Sequence, residues 1–399
     1  MTVASETRAG PGGLAAVVAR EWRRLRADVW DFGMLSWIPL LLCGLTWWIF
    51  SAGVARDLPI VVIDRDGSSV SRTLMRMLDE SPGIRVAAQV ATEGEAQHLL
   101  REREAFGIVL IPTGLQRELG NGRSASVQWF YNGQFSAHVG GLSRDVRTVV
   151  ATLSAGAELT GREKRGASVK QATAAYEPIR IRLVTLFNEN ANYESFLVLG
   201  IIPSLLQAFV ALAAITAIGR ELKAGTVPQW LAAAGGRWGP ALAGKLVIPA
   251  VAFAVLALLY LVFFTAVRGW AIEGSAGMVV AGLALLIAAY LGLGTLMIAA
   301  TLNLRLALSV AAFVTAPAFA FSGQGFPLVA MPAAARAWAE ALPLTHYLQL
   351  QSRHWLVGAP AAYGLNEALV LAGFAVVSLV LGFVLLSRRA ALPTAWGRA

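Results

Sequence analysis

The chain has 399 residues, 56% of them hydrophobic and 14% charged, with a formal net charge of +9. Soluble domains carry about 25% charged residues, so the composition excludes an ordinary soluble protein and describes one embedded in a bilayer. The charge is no nucleic-acid footprint: residues 55–194 hold 17 Lys+Arg against 16 Asp+Glu, and the excess lies on the termini and short loops.

Residues 1–13 are small and polar and read as disordered. Leu14–Phe32 follows as an amphipathic helix within a cytoplasmic N-terminal region, 1–32. Leu14, Val17, Val18, Trp22 and Leu25 share its apolar side, and Arg20, Arg23, Arg24 and Arg26 supply positive charge. That pattern suits a helix lying on the membrane surface. Met34–Val54 is the first span, within 33–54. It is too long for a signal-peptide core and no small-residue cleavage pattern follows it. The single cysteine, Cys43, lies in this span, which excludes a disulfide within the chain and Cys-based metal or redox motifs.

Residues 55–194 have ordinary soluble composition. Leu58–Asp64 reads as a strand, Ser68–Glu80 as a helix with Ser68 as N-cap, Ile84–Val90 as a strand and Glu93–Arg103 as a helix. Phe106–Ile111 and Ser126–Tyr131 read as strands either side of a short helix ending at Leu119, and a long helix over about Gln134–Arg165 leads back toward the membrane. Alternating β and α units predict a small α/β domain with a mostly parallel sheet.

Apolar runs then dominate. Ser195–Ile218, Ala241–Val267, Ala276–Thr301, Ala307–Phe321 and Glu367–Leu386 read as five more spans, within 195–387. The N-terminal segment, Gly219–Lys245, Asn303–Arg305 and the tail 388–399 hold 13 Lys+Arg, against three (Arg268, Arg336, Arg353) in the loops of the other side. This bias puts both termini in the cytoplasm and the insert outside. Trp230, Trp238, Trp270, Trp338 and Trp355 fall near predicted span ends, as interfacial tryptophans do. In the external segment 322–366, Phe326–Met331 and Ala333–Leu344 are too short and too Pro-broken to span and fit re-entrant or interfacial helices. The predicted fold is an α-helical membrane protein of six transmembrane helices, with an extracytoplasmic α/β domain between the first and second.

Two motifs tempt a catalytic reading. Ile60–Ser68, IVVIDRDGS, looks like the first motif of haloacid-dehalogenase-type phosphatases, with Asp64 as nucleophile and Asp66 as acid/base. The insert lacks the downstream acidic pair that such chemistry needs for Mg²⁺, and an Asp/Gly turn after a strand explains the residues as well. Gly239–Leu246, GPALAGKL, nearly makes a P-loop, but Leu246 stands where the hydroxyl must be and a span follows. His98, His138, His346 and His354 show no metal spacing. Charge is scarce within the spans, which weighs against ion-coupled transport unless Glu273, Glu340 or Glu367 at span ends serve it. The alternative to transport is a membrane-anchored enzyme or ligand sensor acting through the insert; a sensor would want a larger cytoplasmic output domain than these loops supply.

The segment 219–240 differs from an ordinary loop. A charged start (Arg220, Glu221, Lys223), a Gly-Thr turn (Gly225, Thr226), a short apolar helix at Val227–Ala234 and a Gly-Gly stop make a lever that another protein can grip. Three stretches carry a family resemblance. Phe187–Gln207, FNENANYESFLVLGIIPSLLQ, resembles an Asn-rich approach to the second span, with Leu199 where that pattern has Pro. Gly219–Thr226 with Gly244–Leu246 resembles "RE-x-x-x-GT … GKL". Phe321–Pro332 with Ala341–Leu348 resembles "FSG-x-x-FP … MP … PLTH". Together they resemble permeases of the ABC type-2 exporter superfamily, in the six-span, multidrug-type subgroup of the bacterial inner membrane. The resemblance implies a non-enzymatic half-channel that pairs with a second copy or a paralogue, sits among membrane lipid and docks two ATPase subunits. No cofactor is expected on this chain, ATP and Mg being used by the ATPase, and no nucleic acid; a periplasmic adaptor is a further implied partner. It implies coupling residues Arg220, Glu221, Lys223, Gly225 and Thr226, an extracytoplasmic gate of Phe321, Ser322, Gly323, Phe326, Pro327, Pro343, Leu344, Thr345 and His346 within 322–346, and an amphipathic or hydrophobic cargo.

Overall fold

A computed structural model describes residues 12–121, 123–131, 136–164, 192–392 and 396–397. The expectations for residues 1–11, for 187–191 of the Asn-rich stretch and for Arg398 lie outside the described residues. The chain divides into two compact units, Met1–Ser51 with Tyr193–Ala399, and Ala52–Asn192.

The first unit is helical: α1 (Leu14–Ala27), α2 (Val29–Leu35) and α3 (Trp37–Phe50), then α8 (Leu199–Ala224), α9 (Val227–Ala233), α10 (Trp238–Val262), α11 (Ala276–Thr301), α12 (Leu304–Thr315), α13 (Ala318–Phe321), α14 (Ala333–Glu340), α15 (Pro343–Gln351) and α16 (Leu365–Arg389). Among the described residues five helical stretches are long and apolar enough to cross a membrane, one of them, Leu304–Phe321, running through α12 and α13, and a sixth arises if α2 and α3 form one span. These two meet at a 48° bend, where the sequence predicts an unbroken helix from Met34. Pro39 explains the break. It has no N–H for the Leu35 carbonyl and its ring crowds that carbonyl, so the helix stops at Ser36, whose hydroxyl turns back to donate to Phe32 O at 2.7 Å. Elsewhere the helices outrun the apolar runs: α8 continues past Ile218 to Ala224, and α16 past Leu386 to Arg389.

Prolines also shape the interior. Pro203 lies inside α8 and cannot donate to Leu199 O. That carbonyl is met instead by Gln351 Nε2 (2.6 Å) and Tyr260 OH (3.4 Å), and Gln351 Oε1 accepts from Tyr347 OH (2.6 Å) and Tyr260 OH (3.2 Å). A polar knot of α8, α10 and α15 thus answers one backbone vacancy, as an apolar medium requires. In the segment expected to hold two interfacial helices, Phe326–Met331 makes only a 3₁₀ turn at Leu328–Ala330, and Ala333–Leu344 splits into α14 and the start of α15. Pro343 forces the split: Leu342 before it is extended (φ −105°, ψ 122°).

The second unit holds β1 (Leu58–Asp64), α4 (Ser69–Asp79), β2 (Ile84–Gln89), α5 (Glu93–Arg101), β3 (Gly107–Ile111), α6 (Leu115–Gly120), β4 (Gln128–Tyr131) and α7 (Ser136–Lys164). The sheet order is β2-β1-β3-β4, with β1 parallel to β2 and β3 and β4 antiparallel to β3. Ile60, Val62, Val109 and Ile111 face Leu74, Leu78, Leu142 and Val146, while Val61, Ile63, Ile108 and Leu110 face Ala96 of α5. Central strands covered on both faces read as continuous apolar runs, as LPIVVID and GIVLI do.

Candidate functional site

The charged residues of the helical unit gather at one end of the bundle. Lys245, one turn inside the third apolar run, is 1% exposed. An ammonium there is stable only with partners, and it has two. Its Nζ donates to Glu221 Oε1 at 2.6 Å and to Glu21 Oε2 of α1. Glu221 also takes a two-pronged contact from Arg20 (2.5 and 2.9 Å) and the Thr226 hydroxyl (2.5 Å). Glu21 is held by Arg24 at 2.5 Å, and Arg24 reaches Asp31 of α2 at 2.5 Å. Arg220 closes the set on Asp31 (2.6 Å) and Asp28 (2.9 Å). Four cations and four carboxylates join α1, α2, α8 and α10 in a neutral network. At its rim the Asp31 amide, first among the causes, together with the Trp30 amide and Arg220, holds the Asp28 carboxyl below its ordinary range against the opposing effect of burial.

Steric fit brings these helices close enough. A Cβ on Gly244 of α10 would lie 2.6 Å from Val17 Cβ, so only glycine lets α1 lie against α10 there. Val17, Glu21 and Leu25 form the buried stripe of α1. Leu14 and Trp22, expected on the apolar side, do not join that stripe and are exposed. The inward face is fixed by Glu21 reaching Lys245, a partner more than 200 residues away that hydrophobic spacing cannot register.

Around this network lies the expected coupling segment. Gly225 ends α8 with φ +67°, a left-handed conformation that glycine adopts at no steric cost, and Thr226 N–H donates to Glu221 O at 3.0 Å. Thr226 then leads into α9, with Pro228 in its first turn. Val227 and Trp230 turn inward. Trp230 Nε1 donates to Ala241 O at 3.1 Å, and the ring packs edge-on against Trp238. Pro228, Gln229 and Ala232 face outward, as do Lys223, Gly235, Gly236 and Arg237. Gly13 N–H donates to Ala233 O at 2.9 Å, tying the start of α1 to the end of α9. Of the five residues expected at a coupling surface, Lys223 is exposed, Arg220, Gly225 and Thr226 are half-buried, and Glu221 is 3% exposed with both carboxylate oxygens engaged. The near-P-loop Gly239–Leu246 is ordinary helix, the first two turns of α10.

The residues of the expected gate divide into two groups. Phe321 ends α13. Ser322 is buried, Gly323 takes φ +86°, and Phe326 and Pro327 are exposed. Ser322, Gly323 and Pro327 share a cavity of about 500 Å³ with Leu348, Ser352 and Arg353. Pro343, Leu344, Thr345 and His346 form the first turn of α15, the first three fully packed; His346 Nε2 lies 2.8 Å from Glu340 O. In the second unit Asp64 Oδ1 accepts from the Asp66 and Gly67 amides (2.9 and 3.0 Å), and Asp66 accepts from the Gly114 and Gln116 amides (2.8 and 3.2 Å). Both carboxylates serve as loop fasteners. Among the described residues no cluster of His, Cys, Asp and Glu could hold a metal ion.

The sequence matches the family described as ABC-2 family transporter protein over residues 30–384, nearly the whole chain. The chain belongs to the ABC-2 transporter family. Among the curated proteins nothing matches it. Members of the ABC-2 family are membrane transport components that work with ATPase subunits and are generally not catalytic themselves. The apolar helices make this member a multi-pass membrane protein. What residue-by-residue reading missed in this ABC-2 chain was the role of Lys245 and Glu21. The available signal was a lysine inside an apolar run, which needs a buried carboxylate somewhere in the fold.

Proposed function

We propose that the chain is the permease subunit of an ATP-driven exporter in a bacterial inner membrane, with the α8–α10 connection as the surface that receives the ATPase. The observation that carries this reading is the two-faced build of α9. Val227 and Trp230 anchor it inward while Pro228, Gln229 and Ala232 stand bare, and the adjoining charge network links the turn before it to α1, α2 and α10. A push on the bare face passes into three helices at once, which is what coupling ATP closure to a change of membrane-facing state requires. Lys223, Pro228, Gln229 and Arg237 make the contact; Arg220, Glu221, Gly225 and Thr226 transmit it from inside.

Two such chains, or this one and a paralogue, would enclose the path, with one ATPase subunit on each, ATP and Mg held by the ATPase, and both termini cytoplasmic. In support, the tail meets the same end of the bundle: Gly397 N–H donates to Leu222 O at 2.9 Å, and Arg389 to Ala300 O at 2.6 Å. The insert is then extracytoplasmic, and Phe321–Pro327 with Pro343–His346 lie toward the outer mouth as its gate. Walls poor in charge favour an amphipathic or hydrophobic cargo, and an adaptor outside the membrane would meet the insert.

The test is co-purification of the tagged chain from its native membrane, with Gln229→Arg and Glu221→Gln beside it. The reading expects an ATPase subunit with the native chain, loss of that subunit with Gln229→Arg, and retention with impaired stimulation of ATP hydrolysis by Glu221→Gln. Absence of any ATPase with the native chain under mild detergent would overturn it.

A further inference from the structure

The helical unit contains a groove that neither the charge network nor the coupling segment uses. It has a volume of about 420 Å³, within the usual size of small-molecule sites. Cys43 and Trp47 of α3 form one wall, Leu256 and Phe263 of the α10 region the other, and Pro203 and Leu206 of α8 the floor. Leu40 and Leu259 on its two lips are 46% and 47% exposed. Leu259 belongs to an apolar helix of membrane-spanning length and Leu40 to the bent α2–α3 pair that reaches that length together, so the groove opens on an apolar, lipid-suited surface. An apolar hollow facing hydrocarbon fills with hydrocarbon, since neither water nor a polar group gains anything there.

One end of the groove is polar. Trp47 packs edge-on against Phe263 with centroids 5.0 Å apart, and its Nε1 donates to Glu194 Oε1 at 2.8 Å. Arg268 grips the same carboxylate with two hydrogen bonds of 2.7 and 2.6 Å and keeps a third of its side chain exposed beside the Trp47 ring. Tryptophan and arginine at the end of a span mark the level of lipid headgroups. The site therefore has the polarity profile of a phospholipid: hydrocarbon along α3, then an arginine where the phosphate would lie.

We propose that this groove takes an acyl chain of a bilayer phospholipid, entering from the side, with the phosphate beside Arg268. Lipid binding here requires only that the helical unit lie in a bilayer, so it stands whether or not the coupling reading does. The groove wall contains a position suited to plugging it. Gly44 lines the groove and a Cβ on it would meet nothing within 4 Å, so the backbone there has room to carry a side chain. Leu41, on the same helix and 59% exposed, points elsewhere and is the control.

The experiment is native mass spectrometry of the full chain released from detergent micelles after extensive washing, which reads bound phospholipid and oligomeric state together. The native chain and Leu41→Phe retain one phospholipid, and Gly44→Phe loses it at least tenfold, with Gly44→Leu reading the same loss from a smaller side chain. The proposal is overturned if the native chain retains no lipid, if the Gly44 variants retain as much as Leu41→Phe, or if they instead turn a dimer into a monomer, which would make a second copy of the chain the occupant.

Discussion

Replacing Lys245 by Met keeps the length and volume of the side chain and removes its charge. Glu21 and Glu221 then face each other across a site where Glu21 and Lys245 are each 1% exposed. Breaking one partner out of a buried ion pair costs about 3–5 kcal/mol. Here each carboxylate keeps an arginine, Arg24 on Glu21 and Arg20 on Glu221, so the lower end applies, about 3 kcal/mol, or roughly a hundredfold in an equilibrium. The loss falls on the attachment of α1, because Lys245 is the charge on α10 that Glu21 of α1 meets. Amide hydrogen exchange across residues 17–27 of the purified chain reads that attachment, and Lys245→Met is expected to exchange there about a hundredfold faster. Adding Glu21→Gln removes the carboxylate left over and restores neutrality, so the double variant returns to within about tenfold of the native chain. Unchanged exchange in Lys245→Met, or a double variant no better than the single, would refute the network as the fastening of α1.

Gly244→Val should push α1 off α10 through the 2.6 Å approach to Val17, at about 1–3 kcal/mol for overpacking, seen as faster proteolysis at Arg23 and Arg26. Gln351→Leu strips the Leu199 carbonyl and the Tyr260 and Tyr347 hydroxyls of a partner, and should lower the unfolding midpoint by an amount matching about 3 kcal/mol, whereas Ser352→Ala, at an exposed neighbour, should not. Asp64→Ala should loosen residues 66–72 in hydrogen exchange, since it frees two amides and the buried Ser71 hydroxyl, and should leave stimulation of the ATPase unchanged. Burial alone would raise the Asp66 carboxyl, but bonds from Ser68 and from the Gln116, Gly114 and Leu115 amides outweigh it and hold it below the ordinary value of 3.8. Its contribution is therefore complete at neutral pH and is lost as pH falls below about 3.8 through the lower folded value, which a titration of loop exchange with and without Asp66→Asn should show.

The membrane spans were legible because lipid imposes one demand, a long apolar run, and five such runs stand in the helical unit where composition puts them. The ends of the α8–α10 connection were legible too, since Gly225, Gly235 and Gly236 all take positive φ where the sequence suggests stops. The break at Ser36 was readable from Pro39 but is easily hidden inside an apolar run. Apart from Lys245, whose place inside an apolar run is a signal, the charge network could not be read locally: its members sit at 20–31, 220–221 and 245, far apart in the chain. Only their convergence shows Glu221 buried among Arg20, Lys245 and Thr226.

The distances in sequence within that network also set a clock for biosynthesis. Glu21 and Lys245 are 224 residues apart, and the intervening chain includes the whole second unit. At 5–20 residues per second, about 10–45 s pass between the synthesis of the carboxylate and that of its ammonium partner. During that interval the first helices are in the membrane without the lysine that fastens them, while the α/β unit can complete its own sheet. A nascent chain stalled before residue 245 would hold Glu21 without its ammonium partner and α1 without that tie to α10.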